Sequence, residues 1–157
     1  MKFQHANTYA APIDRVRDML NNPEFREQVA TRVGALSCSA AYGNGKLVVR
    51  EEQPVQGVPA FAKKFAGGAT TVIHTEIWDE AGTSATITLD TPGKPIKQVG
   101  RITLSEANGT TTHAYDLEVT ASVPLVGGKL EKLVADLTTA GLVTEGQVGA
   151  EWLASHP

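Results

Sequence analysis

Polar and apolar positions alternate from Lys2 to Ala10, with Phe3, His5, Asn7 and Tyr9 on one side, which predicts a strand beginning almost at the first residue. Pro12 ends it. APIDRVRDML then reads as a short helix, because proline suits the first helical turn, Asp14 suits the positive end of the dipole, and Ile13, Val16, Met19 and Leu20 share a face. PEFREQVATRV predicts a second short helix with Phe25, Val29 and Val33 at helical spacing and Gly34 as its stop. From Ala35 the period becomes 2: ALSCSAAY, the turn GNG, then KLVVREEQ form a hairpin signal. Residues 54–68 break the pattern with two prolines around AFAKKF and are expected to form a helical turn or a flap. Strands resume at TTVIHTEIWD, SATITLDT, IKQVGRITLSE and TTTHAYDLEVTAS, the last two joined at Asn108-Gly109, the strongest short hairpin signal in the chain. The final strand places His113, Tyr115, Leu117, Val119 and Ala121 on one face, which is expected to point inward. From Pro124 onward Val126, Leu130, Leu133, Leu137, Ala140, Thr144, Val148 and Trp152 form one stripe of a long helix, with glycines at 127, 128, 141, 146 and 149 against helix propensity.

An antiparallel sheet needs its apolar face covered, and only the last helix is long enough to lie across it. The expected fold is therefore α+β: a curved antiparallel sheet of about six or seven strands around a long carboxy-terminal helix, with two short helices after the first strand closing one end. At 157 residues the chain is expected to be one domain, residues 1–157, with a core large enough to need no staple.

Charge and cysteine content narrow the function. A formal charge of -3 without any Lys/Arg-rich run argues against nucleic acid. The lone Cys38 has no bridging partner, MKFQHANTY lacks the apolar core of a signal peptide, and no run approaches the ~18 apolar residues of a membrane span. A complete, soluble, cytoplasmic protein without cofactor is expected. Cys38, with no basic neighbour in sequence, reads as a small core residue, not a nucleophile.

The opening FQHANTYAAPIDRVRDMLNNPEF resembles the first strand, proline-started helix and Asn-Pro break of the START-like, or helix-grip, superfamily (SRPBCC), which includes birch-pollen-allergen-like proteins and polyketide cyclases. The closing PLVGGKLEKLVADLTTAGLVTEGQVGAEWL is similar to a small bacterial family of that superfamily carried as a domain of unknown function. The resemblance spans essentially the whole chain. It implies a cavity between the sheet and the long helix, suited to a hydrophobic or amphipathic small molecule such as a lipid, sterol or polyketide.

The cavity candidates are His113, Tyr115, Leu117 and Leu89 from the strands, Leu133 and Leu137 from the helix, Tyr9 from the first strand, and Glu51 as a polar anchor. His113 and Tyr115 have the chemistry of a proton shuttle and a hydrogen-bond donor, but with no carboxylate on the same strand face a satisfied core pair is the favoured reading. His74, Glu76 and Trp78 alternate with Ile73, Thr75 and Ile77 on one strand, and the first set is expected to form a solvated face, which removes an otherwise possible acid/base pair. Four histidines and one cysteine at no ligand spacing make a metal site unexpected. Gly127-Gly128 either exposes helix N-H groups to an anion or lets backbone segments approach. Binding of a hydrophobic small molecule is thus the first expectation. A polyketide-cyclase-like or aromatase-like enzyme using His113 and Tyr115 is the alternative. A protein-interaction module using the outer sheet face or the 54–68 flap is the third.

Overall fold

The computed structural model describes residues 1–55 and 57–157; the flap expected over 54–68 therefore falls partly outside the described residues, at position 56. Among the described residues the strands β1 (Lys2–Tyr9), β2 (Ser37–Gly43), β3 (Lys46–Pro54), β4 (Ala69–Trp78), β5 (Ser84–Asp90), β6 (Ile96–Ala107) and β7 (Thr110–Ala121) form one sheet in the order β1-β7-β6-β5-β4-β3-β2. Every neighbouring pair is antiparallel. The helices are α1 (Ile13–Leu20), α2 (Pro23–Arg32), α3 (Lys63–Ala66), which follows a 3-10 turn at Ala60–Ala62, and the long α4 (Gly127–Ser155).

Local chemistry accounts for the joints. Asn22 caps α2 by accepting a hydrogen bond from the Glu24 amide at 2.9 Å, with Pro23 in the first turn. Asn108 and Gly109, at φ 54° and 77°, make the tight turn that sets Ala107 opposite Thr110 and fixes the β6–β7 register. That register puts Thr111, His113, Tyr115, Leu117 and Val119 inward. At the end of the sheet covered by α1, α2 and the last turns of α4, the space is filled by Val16, Leu20, Phe25, Trp78, Ile102 and Trp152, with Phe25 edge-on to Trp152 at 5.7 Å. Each such large side chain contributes about 1.5–3 kcal/mol by leaving water.

Two expectations are corrected. His74, Glu76 and Trp78 do not form a solvated face: they point into the protein, Glu76 is fully buried, and Ile77 on the opposite face is 56% exposed. The strand read alone offers no partner for an inward carboxylate, but α2 brings Arg26 to it. The packed line of α4 is also shifted. Leu130, Ala135, Leu142, Glu145, Val148, Gly149 and Trp152 are buried, whereas Leu137 is 61% exposed and Ala140 is exposed.

The glycines explain the shift. Half of α4 lies so close to β1 that a Cβ on Gly149 would fall 2.5 Å from the Tyr9 ring and one on Gly146 would fall 2.6 Å from the Asn7 side chain. Gly149→Ala is therefore expected to destabilise by about 1–3 kcal/mol through overpacking. Gly141→Ala, where nothing lies within 4 Å, should gain up to about 1 kcal/mol from helix propensity. Urea unfolding of both variants checks the pair, and equal effects would contradict the close packing. At the helix start, a Cβ on Gly127 would sit 3.1 Å from the Ala121 carbonyl oxygen, so this glycine too is a packing joint.

A candidate ligand-binding cavity with a charged floor

Where the amino-terminal half of α4 leaves the sheet, a cavity of ≈ 680 Å³ opens between them. This volume lies within the range of small-molecule sites. Its walls are mainly apolar: Val49, Val72, Ile87, Leu89 and Leu117 from the sheet, and Leu130, Leu133, Val134 and Leu137 from α4. Val58, Ala62 and Phe65 border it from the segment carrying α3. Glu51 and Gln53 add a polar edge, with the Gln53 amide donating to the Glu51 carboxylate.

Arg26, His74 and Glu145 reach the cavity from three elements and belong to a buried polar cluster. The Arg26 guanidinium donates through Nε to the Leu20 carbonyl at 2.6 Å, through Nη1 to Glu145 at 2.8 Å and through Nη2 to Glu76 at 3.3 Å. Glu76 also accepts from Trp78 Nε1 at 3.0 Å and pairs with His74 Nε2 at 2.7 Å. Glu145 also accepts from the Tyr115 hydroxyl at 2.8 Å. Formally, two carboxylates face one guanidinium.

Burial pushes the Glu76 carboxyl upward, but Arg26, the His74 hydrogen bond and the neighbouring histidines outweigh it and hold the group down at about 2. Burial opposes the charge on Arg26, and the two glutamates more than offset it. Burial, reinforced by Glu145, raises the Tyr9 and Tyr115 phenols. His113 is the odd member. Its Nδ1 lies 3.4 Å from Glu145 Oε1, yet neither ring nitrogen makes a hydrogen bond, and burial keeps the ring neutral against the pull of Glu145 and Glu76.

Of the residues singled out from sequence, Leu117, Leu89, Leu133, Leu137 and Glu51 line the cavity. Tyr9, His113 and Tyr115 are buried and do not line it. The satisfied core pair expected of His113 and Tyr115 holds for the tyrosine and fails for the histidine, whose nitrogens are unpartnered. Burial lifts the half-buried Cys38 thiol to about 11, far from a reactive thiolate. Sequence reasoning missed Arg26 and Glu145. A weak signal existed, since Glu145 falls three and four residues from Leu142 and Gly149, on the packed line of α4.

The match to a family covers nearly the whole chain: residues 4–153 fit the family described as protein of unknown function, DUF2505. The chain belongs to the DUF2505 family. No curated protein sequence matches it. Among solved structures, TTHA0849 from Thermus thermophilus is similar, with a TM-score of 0.70, 17% identity and 100% of both chains covered. The Zhui aromatase/cyclase from Streptomyces sp. R1128 gives 0.63 at 15% identity, over 96% of this chain and 92% of that one. Ara h 8.0201 gives 0.64 at 12% identity, with 99% of each covered. At these identities the likeness establishes the fold: this DUF2505 chain has the helix-grip architecture. No helix among its described residues is long and apolar enough to cross a membrane.

Proposed function

We propose that this DUF2505 protein, acting as one domain, binds or carries a hydrophobic or amphipathic small molecule, of lipid, sterol-like or polyketide-like character, in the space between its sheet and α4. The observation that carries this is the ≈ 680 Å³ cavity with apolar walls, where a tighter helix would have completed the core. The likeness to an aromatase/cyclase supports a polycyclic ligand among the candidates. An enzymatic role for His113 and Tyr115 gains no support, because neither lines the cavity and the Tyr115 hydroxyl is held by Glu145.

Native mass spectrometry of the purified protein, with organic extraction, should reveal a co-purifying molecule. A lipid and polyketide panel should also raise Tm. A ligand at a hundredfold excess over its Kd stabilises by about 2.7 kcal/mol, which is several degrees for a domain of this size. An empty protein that no panel member stabilises would sink the proposal.

A further inference from the structure

At the cavity floor, the His74 ring keeps a nitrogen without a hydrogen-bond partner among the described residues. His74 lines the cavity from β4, and its Nε2 is engaged by Glu76 Oε1 at 2.7 Å. Glu76 accepts from Arg26 and Trp78 as well, so it is the acceptor and His74 Nε2 carries the proton. In the neutral ring this fixes the tautomer and places the lone pair on Nδ1. No side chain or backbone group among the described residues hydrogen-bonds Nδ1, and the His74 side chain keeps 17% exposure, in contrast to the fully buried Glu76. The carboxylate thus fixes which nitrogen of this cavity-lining ring is left to accept. Beside it Arg26 already donates to Leu20, Glu145 and Glu76. A ligand carboxylate placed beside His74 would be the third around a single guanidinium, after Glu76 and Glu145, in a setting where charge repulsion is poorly screened.

We propose that the ligand is an apolar molecule ending in a neutral hydroxyl, an alcohol or phenol, which donates to Nδ1 of His74, and that a carboxylate is disfavoured in the hydroxyl's place. This rests on the cavity-binding reading above and specifies the end of the molecule that reaches the floor. The hydroxyl fills the open valence of His74, while the rest of the molecule lies along Leu89, Leu117, Leu133 and Leu137.

Fluorescence titration with matched probes tests it: hydroxypyrene against methoxypyrene, and hexadecanol against methyl hexadecyl ether and palmitate by displacement. The methyl ethers are more apolar, so without a specific hydrogen bond they should bind better. The expectation is at least about fivefold tighter binding of each hydroxyl compound, because a site built around a hydroxyl is left unpaired by its ether. Palmitate should bind more weakly than hexadecanol. His74→Leu should abolish the hydroxyl preference while retaining the ethers. Equal binding of alcohol and ether by the unaltered protein, palmitate matching hexadecanol, or a preference that survives His74→Leu would each overturn the inference and leave the cavity reading standing. If no probe binds at all, the cavity reading falls and takes this inference with it. Because the comparison between probes uses the unaltered protein, it decides the matter even if the variant folds poorly.

Discussion

Arg26→Met is expected to be the most damaging single substitution at the cavity floor, costing about 3–5 kcal/mol at neutral pH. The side chain is 4% exposed and supplies the counter-charge for Glu76 and Glu145, which are themselves buried. Methionine matches much of its volume, so the loss reports charge and hydrogen bonding, not a cavity. What remains is two carboxyl groups in a low-dielectric interior, each having lost a donor, plus the Leu20 carbonyl deprived of its partner. The loss should shrink at low pH, where the carboxyls can protonate. It should also shrink in the triple variant Arg26→Met, Glu76→Gln, Glu145→Gln, since removing a whole buried ionic group is far less costly than removing one member. Urea unfolding gives both comparisons. A cost below about 1 kcal/mol for the single variant would mean that the pairing does not hold the floor together.

The sheet was legible because its signals are local. Strict alternation along β1 and β7, and the turn at Asn108-Gly109 between β6 and β7, set the inward face from residues within a single strand or hairpin. The floor was not legible because its members are far apart: Arg26 meets Glu76 across 50 residues and Glu145 across 119. Read one element at a time, each is a charge on a surface helix or strand, and the reasonable inference is solvent. Only when α2, β4 and α4 converge does each charge become the reason the others can be buried. The same convergence explains α4. A hydrophobic stripe marks where a helix is greasy, but this helix touches β1 through Gly146 and Gly149, which carry no hydrophobic signal, and turns Leu133 and Leu137 toward a space instead of a partner.

The protein should lose stability toward acid in two stages, and toward strong alkali in a third. His113 has a folded pKa below its ordinary 6.5, because burial outweighs the attraction of Glu145 and Glu76. Below about pH 6.5 the unfolded chain therefore takes up a proton that the folded one refuses, and stability falls by up to about 1.4 kcal/mol per pH unit. Glu76, held at about 2 against 4.5, contributes stability that is present above pH 4.5 and is lost as pH falls toward 2, on the order of 3 kcal/mol in all. At the other extreme, Tyr9 and Tyr115 stay protonated in the folded state, so stability declines once the unfolded phenols ionise above about pH 10. Urea midpoints measured from pH 2 to pH 11 should trace a plateau between roughly 6.5 and 10. His113→Phe isolates the first stage. With no hydrogen bond to lose, an apolar ring at this position should cost little at pH 8 and should remove the decline between pH 6.5 and 5. Stability that instead rises as pH drops from 7 to 5 would mean that the 3.4 Å approach to Glu145 captures a proton on His113, and that the floor closes its charge balance internally.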